Sequence, residues 1–253
     1  MKILGKQVAF KEFVPPIAYK FIRVFGIKVD YDTRKEPYVA PCLHSYAQYH
    51  EDLILQSIFS CLKDGFYVDV GANHPTVLSN TKKFYDRGWH GINIEPNPLL
   101  IKDFEMGRPR DINLNIGISD KPASMDFYRM SADTLSTFSK QSAIDAEKAS
   151  KEKIVDVILV QVETLASVLR KYCSEKVIDL MSVDVEGYDL TVLKSNNWEL
   201  FRPKVLMIEI NQDEEEILQF IESMDYEMAY KNHTNALFVD GSFAKEMMVG
   251  VKE

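Results

Sequence analysis

The chain has 253 residues, enough for one large α/β domain with a substantial core and short for two full ones. A hydrophobic share of 46% and a charged share of 27% argue against a disordered chain and against a secreted miniprotein. The formal charge of −8 makes the protein a poor binder of nucleic acid, since phosphate neutralisation supplies most of that affinity.

Charge is uneven along the chain. Lys2, Lys6, Lys11, Lys20, Arg23 and Lys28 against Glu12 and Asp30 give the first 30 residues +4, which leaves −12 for the rest. Residues 1–44 therefore read as a basic accessory segment, with residues 1–30 a candidate for peripheral contact with a membrane or a protein complex, and 45–253 as the main domain. No apolar run reaches the ~18 residues of a membrane span, and no signal-peptide pattern opens the chain, so a cytoplasmic location is expected, with the inner membrane face as a docking surface. Cys42, Cys61 and Cys173 lack a CxxC or CxxH partner and read as buried free thiols.

The main domain opens with SYAQYHEDLILQSIFSCL, residues 45–62, whose Leu53, Ile54, Ile58, Phe59 and Leu62 carry the spacing of an amphipathic helix. Strands and helices then alternate: strand 66–70, helix 79–87, strand 91–95, helix 98–105, strand 112–118. A Ser/Thr/Ala/Lys-rich insertion over 120–160 interrupts the pattern and reads as a lid or a surface loop. Alternation resumes with helix 163–172, strand 178–183, helix 187–195, strand 204–210 and helix 213–223. A closing antiparallel hairpin turns near Asn232 to Asn235. The pattern predicts a doubly wound, mostly parallel sheet with helices on both faces.

In such a sheet ligands gather at the carboxyl ends of the strands. The first strand ends in Asp69, Gly71 and Asn73, and the second in Glu95. Gly71 permits a sharp turn without a Cβ in the way. Asp69 offers an acceptor for an ammonium group, and Glu95 lies where an acid accepts ribose hydroxyls. The residues after Gly71 read Ala72, Asn73, His74, Pro75 and Thr76, so the GxGxxG needed to cradle a pyrophosphate is missing. A cationic nucleoside without phosphate, S-adenosylmethionine, fits better than a dinucleotide. A nicotinamide-dependent, sugar-modifying oxidoreductase is the enzymatic alternative, and a non-catalytic cofactor-binding scaffold of a carbohydrate-assembly complex is the other.

Further on, MSVDVEGYD sets Asp184 and Glu186 at the end of a buried strand on the same sheet edge. They are the candidates for general base and substrate positioning, with His74, beside the first turn, as a second base. Glu209 at the end of the next strand could join Asp184 around a divalent cation, but no metal is expected.

The motifs SYAQYHEDLIL (45–55), YVDVGANHP (67–75), INIEPNP (92–98), INLNIGISD (112–120), STFS (136–139) and IDLMSVDVEGYDLTVL (178–193) together resemble the FkbM-type methyltransferases over roughly residues 45–240. The resemblance implies a class I, Rossmann-like fold of seven strands with an antiparallel last strand. S-adenosylmethionine would be the cofactor, and the activity O-methylation of a sugar hydroxyl in a glycan precursor, a nucleotide-linked sugar or a related metabolite. By position it puts Asp69, Gly71 and Asn73 at the methionine end of the cofactor and Glu95 at the ribose. It puts Asn115 and Asp120 near adenine, and Gln48 and Glu51 over the methionine portion. His74 and Pro75 depart from the smaller turn of many members, and the first 40 residues have no counterpart.

Overall fold

Phe66–Val70, strand β1, is buried along its whole length, Asp69 included, as expected of a strand covered on both faces. In this computed structural model, which describes residues 2–3, 6–7, 44–173 and 176–249, β1 is an interior strand of a seven-stranded sheet. His90–Ile94 (β2) and Leu180–Val183 (β7) flank it in parallel, Ile112–Leu114 (β3) extends the β2 side, and Val205–Glu209 (β8) extends the β7 side. Asn235–Asp240 (β10) pairs antiparallel with β8, and Tyr226–Lys231 (β9) closes the edge against β10. The strand order β9-β10-β8-β7-β1-β2-β3 has its reversal between β1 and β7, where a doubly wound sheet opens a crevice.

Residues alternate across the sheet into two cores. Phe66, Val68 and Val70 of β1 with Leu206 and Ile208 of β8 pack under Leu165–Tyr172 (α5), Asp189–Lys194 (α6) and Glu214–Glu222 (α7). Tyr67, Val205 and Met207 point the other way, against Leu55 of Glu51–Ile58 (α1) and Phe59 at its C-cap, Phe84 of Lys82–Asp86 (α2) and Ala244 of Gly241–Val249 (α8). The period-two pleat thus supplies both faces from one apolar run. Leu100–Gly107 (α3) follows β2 and seats Ile101 and Phe104 on Ala72.

Three expectations change. The predicted strand 112–118 breaks at Asn115: β3 stays in the main sheet, while Gly117–Ile118 (β4) joins a second sheet of order β4-β6-β5. The insertion is ordered, with Ala123–Met130 (β5) and Ile154–Glu163 (β6) forming a long antiparallel ladder around Lys140–Ala149 (α4) and a 3₁₀ turn at Asp133–Leu135. Phe127, Phe138, Val160 and Val162 give this cap its own small core, which a Ser/Thr/Lys-rich composition conceals. Cys173 is buried as expected, but Cys61 is exposed; Cys42 lies outside the described residues, as does most of segment 1–44. No helix among the described residues is long and apolar enough to cross a membrane.

Candidate active site

Between the carboxyl ends of β1, β2, β7 and β8 and the inner side of the cap lies a cavity of about 320 Å³. Its floor is the turn after β1. Gly71 has φ +78, and a Cβ there would fall 1.8 Å from the Asp184 carbonyl oxygen. The obstacle to a side chain is therefore the end of β7, so the glycine is required by the meeting of two strands as well as by the cavity it lines. Asn73 follows with φ +51, and the Gly71 and Ala72 amides both donate to the Ile94 carbonyl, pinning the turn to β2.

Glu95 caps β2 and is only 4% exposed. Its Oε2 accepts from the Asn73 amide at 2.8 Å and its Oε1 from the Asn97 amide at 2.7 Å. Each oxygen keeps a lone pair, and the residue lines the cavity. Burial pushes its carboxyl up to about 8, against the pull of those two amides. Asp69 is also buried; burial raises it, while the Arg108 guanidinium and the hydroxyl of Thr81, which donates to it at 2.6 Å, lower it.

Arg108, absent from the sequence reading, is fully buried just past α3. It donates to the Pro75 carbonyl (Nε 2.9 Å, Nη2 2.6 Å), to Ser79 (2.6 Å) and to Thr81 (2.6 Å), holding together the 75–81 loop that supplies Leu78, Ser79 and Asn80 to the cavity wall. Nothing in its neighbourhood, MGRPRD, marks it apart from Arg110 two residues on; its shortest hydrogen bonds reach Thr81, Ser79 and Pro75, 27 to 33 positions upstream.

Opposite, Asp184, Glu186 and Glu209 bring carboxylate oxygens within 4.8 Å of one another, close enough to share protons or a divalent cation. Glu186 sits in the left-handed region at φ +52, and Asp189 holds this turn by accepting from the Val185 and Gly187 amides, both at 3.1 Å. Burial and neighbouring acids push all three cavity acids up: Asp184 to about 6, with Asp69 and Glu51 as the repelling charges, Glu186 to about 9 and Glu209 furthest, both against Asp184 and Asp189. A hydrogen bond between Glu209 and Asp184 favours the ionised form of Asp184 and the protonated form of Glu209.

The cap completes the enclosure with Phe127, Asp133, Thr134, Leu135, Ser136 and Phe138. Phe138 packs directly against Gly117, where a Cβ would come within 2.3 Å of its ring. Thr137 donates its hydroxyl to the Glu186 carbonyl at 2.9 Å, and Asn97 donates to Asp133 at 3.0 Å, tying the cap to the strand ends it covers. The STFS motif signals this wall in the sequence, but Phe127 and Asp133 carry no local mark.

Of the predicted site residues, Asp69, Gly71, Asn73, Glu95, Asp184, Glu186 and Gln48 line the cavity. Four do not. His74 lies outside the cavity lining and accepts from the Thr76 and Val77 amides, both at 3.0 Å, through Nδ1, so it serves the turn. Glu51 is fully buried and spent on the Tyr49 amide and on the side chains of Asn232 and Asn235, fastening α1 to the closing hairpin. Asn115 donates to the Glu95 and Pro96 carbonyls, and Asp120 is exposed beyond β4.

These residues fit a nucleoside with a cationic amino-acid tail. Glu95 has free lone pairs for two hydroxyls, Asp69 is an acid buried at the turn, and apolar Ile116, Ile118 and Phe138 could sandwich a base. Strand order and cavity define a class I methyltransferase that uses S-adenosylmethionine. The methyltransferase FkbM domain profile matches residues 69–228, more than half of the chain, and the protein belongs to that family.

No curated protein matches the sequence. Among solved structures, the chain is similar to a fibrillarin/Nop5p complex (14% identity, TM-score 0.37, covering 70% of this chain and 71% of that one). It is similar also to the METTL16 methyltransferase domain (10%, 0.38, 89% and 78%). A third is M. capricolum TrmK in complex with S-adenosyl-homocysteine (10%, 0.32, 74% and 66%). These scores are low, and the fold stands on its own strand order.

Proposed function

We propose that this methyltransferase O-methylates a sugar hydroxyl of a glycan precursor or related polar metabolite. The observation that supports it is the cluster of Asp184, Glu186 and Glu209, with carboxylate oxygens within 4.8 Å of one another, facing the same cavity as Glu95 and the Gly71 turn. When bound, S-adenosylmethionine supplies a methyl group already activated on a sulfonium.

The chain's own work is then positioning and proton removal. Asp69 would receive the ammonium of the cofactor and Glu95 its ribose, fixing the donor end against the turn. Asp184 would accept the proton of the attacking hydroxyl, and the protonated Glu186 and Glu209 would donate to neighbouring sugar oxygens. Holding two reactants in register contributes about 7–11 kcal/mol, against a 10²–10⁴-fold gain, about 3–5 kcal/mol, from a base. Placement by the cap and strand ends therefore outweighs the base.

Two measurements test this reading. S-adenosylmethionine or its demethylated product should raise the thermal midpoint, and NAD should not. Mass spectrometry of polysaccharide from cells with and without the protein should show a sugar lighter by one methylene in its absence; unchanged glycans would sink the sugar assignment.

A further inference from the structure

Resting on the reading that the acceptor is methylated in this cavity, we infer that its reacting end is an uncharged or cationic hydroxyl compound, a polyol or an amino sugar, and carries no phosphate or carboxylate. The lining holds six carboxyl groups, Asp69, Glu95, Asp133, Asp184, Glu186 and Glu209. Among the described residues, no Lys, Arg or His lines it. Arg108, the guanidinium beside Asp69, is turned into the protein and fully engaged by Pro75, Ser79 and Thr81.

The donor accounts for two of the six acids, Asp69 and Glu95. The other four face what remains of a cavity of about 320 Å³, most of which a nucleoside would fill. A phosphate one bond from the methylated ring would sit beside Asp184 and Asp133 with no cation among the lining residues to meet its charge, and Glu186 and Glu209, whose carboxyls burial holds in the protonated form, would add to the repulsion on ionising. Like charges set together at a binding site are a strong device of rejection, so nucleotide-linked sugars are poor acceptors. An ammonium group there instead meets acceptors on three sides, from β7, β8 and the cap.

The test uses the full chain and begins with S-adenosyl-homocysteine alone. No rise in thermal midpoint at that stage would strike the methyltransferase reading before any sugar is added. On the loaded protein, glucosamine, glucose and glucose 6-phosphate are compared at equal ionic strength. Glucosamine should raise the midpoint most and glucose 6-phosphate least. The glucosamine preference should fall at least threefold in apparent affinity in the Asp184→Asn/Glu186→Gln double variant, a change that non-specific attraction to a protein of charge −8 would not show. Glucose 6-phosphate stabilising as much as glucosamine, or a preference untouched by the double variant, overturns the inference.

Discussion

Arg108 and Asp69 communicate through a single hydroxyl: Thr81 accepts from the guanidinium at 2.6 Å and donates to the carboxylate at 2.6 Å. A buried cation thus orients and partly neutralises a buried acid at the cavity floor without touching the cavity itself. Removing Arg108 takes the guanidinium donor from Thr81, Ser79 and the Pro75 carbonyl and leaves Asp69 without the positive charge behind its threonine. Arg108→Met should cost about 3–5 kcal/mol, the range for breaking a buried charge network. Thr81→Val, nearly the same in shape, should cost about 1–3 kcal/mol. In the valine variant Asp69 loses a donor to its charged form and rises further, so cofactor affinity should fall more at low pH than at high pH. Urea unfolding and calorimetric titration at two pH values check both effects.

Cofactor binding should strengthen as pH rises through about 8, where the buried Glu95 ionises. Ribose hydroxyls donate to the carboxylate better than to the acid, so binding below that pH should release a proton. Calorimetry in buffers of different ionisation enthalpy measures the release. In Glu95→Gln the proton release and this pH dependence should both vanish, with affinity lower at all pH values.

Stability of the ligand-free protein should run the other way. Asp189 (about 7), Glu95 (about 8) and Glu186 (about 9) all lie above the ordinary carboxyl value, so between that value and these the folded state holds more protons than the unfolded one. Their contribution is fully present below the ordinary value and is lost as pH rises through the folded ones. The thermal midpoint should therefore decline from mildly acidic to alkaline pH, and Glu209→Gln, which removes one of the crowded acids, should flatten the decline.

Within the acid trio the roles differ. Asp184→Asn should lower turnover by 10²–10⁴-fold, about the worth of a general base, with the dissociation constant for S-adenosylmethionine nearly unchanged. Glu186→Gln keeps a donor and should cost far less. His74→Asn keeps a polar side chain at the turn and should leave the pH profile of turnover as it is, since the imidazole points its Nδ1 at the Thr76 and Val77 amides. Steady-state kinetics across pH separates the three.

Gly71→Ala should disable both folding and binding. The added Cβ would meet the Asp184 carbonyl at 1.8 Å, and φ +78 alone costs about 1–3 kcal/mol for a side chain. Loss of the midpoint rise with S-adenosylmethionine in whatever folded protein is recovered is the expected result.

What the chain declares locally is its periodicity and its strand ends. FYVDV and VLMIE are apolar except for one acid near the end of each, the pattern of buried strands, and an acid or glycine closing such a strand stands at its carboxyl edge, so Asp69, Gly71, Glu95, Asp184 and Glu186 could be placed there from sequence. Which acids lose their charge, and which polar groups are already spoken for, depends on neighbours far away in sequence. Glu51 is consumed by Asn232 and Asn235, more than 180 positions on, and Glu209 becomes a protonated partner only because β8 lies beside β7. The cap is the sharpest case: a Ser- and Lys-rich stretch reads as a loop until Phe127 and Phe138 are seen facing Val160 and Val162 across a ladder. Local patterns reveal which way a backbone runs and which face it buries; burial of charge and completion of hydrogen bonds are set by contacts between distant segments, and these the tertiary structure alone decided.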